Sequence, residues 1–432
     1  MSGNNLDSLS REKKKNQLRR QMLSTQNRPP VLRPEDDRDH SSEDSEEIVE
    51  KARRKVLRRR LTIFGVLLVL LGTAAFGFYQ YQRRHQYSGY STLWETSMNE
   101  GDYSSYVYYG SNVLKYNNNG ATYYDNQGKL VWTKAYEIKA PAISIQGDYV
   151  AIADQRATTI YIIGKDGTAG VASTPLPISK ITVADNGVVA AVLEESTASY
   201  VNFFKRDGTQ LDIQIKVVMG GEGGYPLDIA FSHGGTQMIG SYVYLKSGEL
   251  KNRVAFHDFS EIGKNKPTRL VAAFEDEFDK SMAARVHFMA DPYSCAFTVD
   301  KLVFFSSKNL AIPALIKTVD IEEEIQSIFY SDEYAGVVVR TGKGENPYRV
   351  DVYSKKGDPV MSREFDYDYT NVDVDGDLVF IYNEESCRVY NMAGVLKLET
   401  TFDFPVAKIR KGRFPNTLLV TGPQDMKEIK MQ

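Results

Sequence analysis

The chain of 432 residues carries 53 Lys and Arg against 56 Asp and Glu, a formal net charge of −3, but residues 1–60 hold 16 basic against 11 acidic residues, leaving 37 against 45 for the rest. Hydrophobic content of 42% and aromatic content of 11% exclude a wholly disordered chain, and two cysteines exclude a disulfide framework or a cysteine-rich zinc module. A mean hydropathy of −0.38 excludes a polytopic transporter.

Residues 1–60 contain almost no large apolar side chain. The runs Arg11–Lys15, Glu35–Asp39 and Ser41–Glu47 are charged, and Pro29, Pro30 and Pro34 break any helix between them. Such a segment cannot offset its ordering entropy by burial, so residues 1–45 read as a disordered cytoplasmic tail. Ser41-Ser42-Glu43-Asp44 resembles a capping box, and residues 46–60 are rich in helix formers, so a basic juxtamembrane helix is expected there. It continues into Leu61–Tyr81, 21 residues with no charge. At about 1.5 Å rise per residue this crosses a hydrocarbon core of roughly 30 Å. Tyr79 and Tyr81 sit where an interfacial aromatic belt belongs. Lys51, Arg53, Arg54, Lys55, Arg58, Arg59 and Arg60 precede the span, and Arg83 and Arg84 follow it. That imbalance orients the N-terminus toward the cytoplasm, as an uncleaved signal anchor of the plasma membrane. The same cluster can touch anionic lipid heads of the bilayer.

After a linker at 82–90, residues 91–432 show short alternating strands and one recurring four-strand unit. Its clearest copy is Ala140–Ile145, a turn at Gly147-Asp148, Tyr149–Ala153, Thr159–Ile163 and a turn at Lys165–Gly167. Ile178–Phe204 and Thr370–Tyr390 repeat it. First turns fall near Gly110, Gly147, Gly187, Gly234, Pro292, Glu333, Gly376 and Gly412. Units of about 40–45 residues with four strands are propeller blades, so the expected fold is an all-β, eight-bladed β-propeller, with seven as the alternative count. The last unit has room for three strands, and Thr92–Ser97 is expected to supply its fourth, closing the ring with both ends of the domain. The wide interval between Gly234 and Pro292 reads as an insertion, Phe259–Met282, on one face.

Motifs that carry chemistry are sparse. Asn371–Gly376 fits the start of a calcium loop, but Tyr382 stands where a bidentate Glu belongs, and the repeat register makes the run a hairpin turn. His40, His85, His233, His257 and His287 form no metal-binding pair, and no nucleophile elbow or phosphate loop is present. Gly220–Gly224 reads as a connector, with no helix after it to bind phosphate. Cys295 and Cys387 fall in different units and read as buried thiols. The tyrosines crowding residues 103–124 read as core filling. No catalytic residue, cofactor or metal is assigned, and the acidic balance argues against a nucleic-acid partner.

Tyr123-Tyr124-Asp125-Asn126-Gln127-Gly128-Lys129-Leu130-Val131-Trp132 resembles the blade-docking motif of quinoprotein-like propellers, in which Asp125, Gly128 and Trp132 match the recurring Asp, Gly and Trp. The resemblance implies that this Trp locks neighbouring blades. The enzymes of that group carry adjacent cysteines, which this chain lacks, so their activity is not carried over. The full-length plan is similar to single-pass membrane proteins of Gram-positive bacteria with an extracellular quinoprotein-like or WD40-like propeller of unknown function. The expected role is a protein-binding or scaffold module for an envelope or secreted protein. An enzyme with a site in the central channel, and a sensor coupling outside binding to a phosphorylated tail, are the alternatives.

Overall fold

The computed structural model describes residues 41–98, 104–218, 223–342 and 344–432. Residues 1–40, Tyr103 and Gly220–Glu222, named above, lie outside them. One helix, α1 (Ser41–Arg84), runs without a break. Up to Phe78 it belongs to one unit, and Tyr79–Gln432 forms the other. From Leu57 to Arg84 the helix is long and apolar enough to cross a membrane. Leu61, Phe64, Val69, Leu71, Phe76 and Phe78 are each more than 60% exposed, so the apolar surface runs around the helix rather than along one stripe. Its two threonine hydroxyls within the apolar stretch are satisfied internally: Thr62 and Thr73 donate to the carbonyls of Arg58 and Leu70, both at 2.9 Å. A helix in lipid needs that internal satisfaction.

The second unit is an eight-bladed β-propeller of eight four-stranded antiparallel sheets. Blades 1 to 7 occupy residues 105–135, 141–173, 178–218, 225–274, 285–320, 324–365 and 371–401 in simple meanders. Blade 8 is composite. Its strands Lys408–Lys411, Thr417–Thr421 and Asp425–Met431 are completed by Tyr90–Ser97, whose Thr96 pairs with Met426 and Tyr90 with Met431. The expected closing strand is therefore present, and its pairing builds blade 8 from both ends of the domain, as the outer strand of that blade.

The reason these strands stack as blades is visible in the core. A four-stranded sheet with two apolar faces must bury both. The core is a ring of eight apolar clusters, each shared by two neighbouring blades. Tyr109 and Tyr123 of blade 1 pack with Val150 and Ile152 of blade 2, for example. Most of the tyrosine-rich stretch is thus core. Cys295 and Cys387 are buried and unpaired in blades 5 and 7, where burial pushes the Cys387 thiol up to about 12.

Residues 259–282 differ from the expected insertion. They include Leu270–Phe274, the outer strand of blade 4. Two loops around a short strand lengthened the interval, and their charges masked the strand.

Candidate functional site

A meander blade places its first and third turns on one face and its second turn, with the link to the next blade, on the opposite face. The two faces of this ring differ in chemistry.

The face of second turns is dominated by blade 4. Its two middle strands, Gln237–Lys246 and Glu249–Asp258, are ten residues each, against five to seven in the middle strands of the other blades. The inner strand pairs only up to Val243 and the outer strand only from Val254, so the hairpin projects beyond its own sheet. Ser247 and Gly248 both adopt positive φ, the two-residue turn that matches strand twist. At the tip Leu245 and Leu250 lie opposite each other, 57% and 56% exposed. Val218 at the end of blade 3, Met282 in the link to blade 5 and Val299 in the second turn of blade 5 are also exposed on this face. Lys251 pairs with Asp279 at 2.6 Å, and the Asn252 carboxamide accepts from Ala283 N–H and donates to Ser241 and Tyr242, which fixes the hairpin base.

The opposite face gathers titratable groups at the channel mouth. His233, Asp291 and Asp332 occupy the first turns of blades 4, 5 and 6. His233 Nε2 lies 3.2 Å from Asp332 and Nδ1 lies 3.6 Å from Asp291. The two carboxylates raise the His233 pKa from its ordinary 6.5 to about 10, so it is an imidazolium at neutral pH. Asp332 is lowered in turn by the His233 hydrogen bond. Asp185, from the first turn of blade 3, has its pKa raised by burial, with His233 opposing. His287, its ring tilted against Tyr330 with centroids 4.1 Å apart, is pushed down to about 4 by burial and stays neutral. His257 is likewise neutral and bonded to Tyr242 and Thr268.

Inside the channel, ion pairs stitch inner strands together. Asp228 of blade 4 accepts from Lys180 of blade 3 (3.3 Å) and from Arg285 (3.4 Å) and the Val286 N–H (3.0 Å) of blade 5. Asp373 and Asp375 of blade 7 hold Lys408 (2.8 Å) and Arg410 (3.1 Å) of blade 8. Tyr382, the residue that broke the calcium-loop pattern, donates to Asp373 at 2.6 Å. No group of three or more His, Cys, Asp or Glu among the described residues is arranged to hold a metal ion.

The residues singled out by motif sit at a blade seam. The Asp125 carboxylate accepts from the N–H groups of Gln127 (2.8 Å) and Lys129 (2.9 Å), closing the third turn of blade 1. Gly128 has φ +79°, and a Cβ there would meet Thr96 and Trp94 of blade 8. Trp132 stacks on Tyr123 at 5.3 Å and donates Nε1 to the Lys165 carbonyl of blade 2 at 3.2 Å. A Cβ on Gly167 would meet the Trp132 ring. Trp94 therefore stands to Gly128 as Trp132 stands to Gly167, a relation that the sequence motif did not include. Arg53, Arg54, Lys55, Arg58, Arg59 and Arg60 all lie within α1, before the apolar band.

Residues 83–431 match the model of a family of unknown function, DUF5711. The chain belongs to that family. No curated protein matches it in sequence. Solved structures of similar fold include the Dos1 propeller, 11% identical, TM-score 0.51, covering 79% of this chain and 95% of that one. BamB from Moraxella catarrhalis is 9% identical, TM-score 0.48, over 79% of this chain and 100% of that one. Apo AztD from Citrobacter koseri is 10% identical, TM-score 0.48, over 70% and 87%. These likenesses concern the fold.

Proposed function

We propose that this DUF5711 protein is a single-pass plasma-membrane protein whose extracellular propeller binds an envelope or secreted protein. The observation that carries the binding role is the projecting hairpin of blade 4. It sets two exposed leucines on a tip whose base is held by hydrogen bonds, with more exposed apolar residues on the same face of blades 3 and 5. Exposed apolar side chains gathered on one face mark a protein contact rather than scattered surface. A rigid ring beneath them supports a scaffold role. The paired state of Asp228, Asp373 and Asp375 suits structural cross-links better than a catalytic channel.

In this reading residues 1–45 are the cytoplasmic tail, 46–60 the basic juxtamembrane helix, 61–81 the span, 82–90 the link and 91–432 the outer domain. Arg53, Arg54, Lys55, Arg58, Arg59 and Arg60 set the orientation and meet anionic lipid heads, against Arg83 and Arg84 beyond the span. Asp125, Gly128 and Trp132 act in blade docking, supported by the contacts of Trp132 with the third turn of blade 2.

The test is site-specific photo-crosslinking in intact cells. A crosslinker at Leu250 is expected to yield a discrete protein adduct, while one at Val131 on the outer strand of blade 1 does not. Absence of an adduct at Leu250, or the same adducts at both positions, overturns the binding role of this face.

A further inference from the structure

We propose that the closing seam of the ring, between blades 8 and 1, holds a pocket for one oxyanion group, a carboxylate or a phosphate. This seam has the smallest apolar cluster among the described residues: five buried members, against nine or more at each of the other seven. Beside it lies a cavity of about 110 Å³, walled by Ser111 and Asn126 of blade 1 and by Arg410, Lys411, Arg413 and Glu428 of blade 8 among others. One water needs roughly 15 Å³ on this measure, so the cavity admits a group of several heavy atoms.

The charge of the wall decides what that group is. Three cations face one carboxylate, and that carboxylate is saturated. Glu428 is 1% exposed and accepts from Trp94 Nε1 (2.8 Å), Thr417 Oγ1 (2.9 Å) and the Arg413 backbone N–H (3.1 Å). The donors are not. Arg410 gives Nε to Asp375 at 3.1 Å and Nη1 to the Gly110 carbonyl, which leaves Nη2 with no partner among the described residues. Arg413 uses Nη2 toward Glu428 at 3.4 Å, and its Nε and Nη1 have no partner among the described residues. The Asn126 N–H donates to Asn112 at 3.0 Å, while its side-chain amide has no partner among the described residues. Asp375 and Asp377 hold Arg410 and Lys411 from blade 7, and neither lines the cavity. The Arg410 guanidinium also lies 4.7 Å over the Tyr108 ring. The cations are thus fixed before any ligand arrives, with N–H groups to spare, and a planar or tetrahedral oxyanion is their complement. The site stands independently of the proposed protein contact, which lies on the other face.

The test uses the full chain in detergent, titrated with inorganic phosphate and separately with acetate at constant ionic strength. Binding is read by calorimetry and by Trp94 emission, since Trp94 donates to Glu428 in the wall. Asn126→Asp adds a carboxylate to the wall with no change of shape and is expected to weaken binding about tenfold or more. Arg413→Gln is expected to act in the same direction. Lys216→Gln, on the outer strand of blade 3, is expected to bind like the parent. Phosphate binding tighter than acetate assigns a phosphate-bearing ligand, and the reverse assigns a carboxylate. The proposal is overturned if neither anion binds the parent more tightly than chloride, or if Asn126→Asp binds as the parent does.

Discussion

Replacing His233 by Gln removes the one positive charge that Asp291 and Asp332 share at the channel mouth. The effect can be worked from the site. The imidazole pKa stands at about 10 in the fold against 6.5 in the unfolded chain. Converted at about 1.4 kcal/mol per pH unit, that gap sets an upper bound near 5 kcal/mol. Solvent reduces it: the His233 side chain is 23% exposed, but Asp291 and Asp332 are 50% and 65% exposed. Exposed ion pairs retain only a part of such a bound, so the expected contribution is about 1–2 kcal/mol. The sign follows from the raised pKa. The stabilisation is fully present below pH 6.5 and fades as pH rises toward 10. The assay is denaturant unfolding of the full chain in detergent at several pH values from 6 to 9.5. Emission reports on the propeller, because the two tryptophans, Trp94 and Trp132, lie in blades 8 and 1. The parent is expected to lose about 1–2 kcal/mol across that range beyond any loss in His233→Gln, which starts lower and stays flatter. Equal pH slopes for the two proteins, or a parent that gains relative stability toward pH 9, refute the reasoning.

Trp132→Leu is expected to lower stability by about 2–4 kcal/mol, since the ring fills the space over Gly167 between blades 1 and 2; unfolding by Trp94 emission checks it. Leu245→Ser with Leu250→Ser is expected to leave stability within about 0.5 kcal/mol, because both leucines are exposed, while abolishing the adduct formed by a crosslinker at Val299 on the same face. Lys397 donates to the carbonyls of Gln82 (2.7 Å) and His85 and lies 5.1 Å over the Tyr87 ring, so Lys397→Ala is expected to speed tryptic cleavage at Arg84 several-fold, read by mass spectrometry. A cysteine placed at Ser247 is expected to react with a membrane-impermeant maleimide on intact cells, with a background kept low by the buried Cys295 and Cys387. Labelling of that cysteine only after lysis would contradict an outward-facing propeller.

Local and periodic features were legible in the residues alone. An uncharged run from Leu61 to Tyr81 specifies a helix able to cross a bilayer without reference to any other part of the chain. Eight recurring turns specify eight blades, because each four-stranded unit buries its faces only against its neighbours and so repeats the same pattern. The closing strand followed from counting strands in the last unit. Leu270–Phe274 was missed inside residues 259–282 because charged loops flank it on both sides, although its five apolar residues suit a strand.

What the tertiary structure decided lies between blades. His233, Asp291 and Asp332 hold turn positions in three successive blades, and nothing local marks them as partners until the ring brings those turns to one rim. Arg410 and Arg413 reach Ser111 and Asn126 only because the closing strand joins the end of the domain to its beginning. The contact of Trp94 with Gly128 across the seam depends on the same closure. The projection of the blade 4 hairpin depends on where pairing with its flanking strands stops, a register that residue composition does not specify. Blade count is a property of the repeat and survives in sequence. Chemistry at seams and rims depends on which distant residues closure places side by side, and only the closed ring sets those distances.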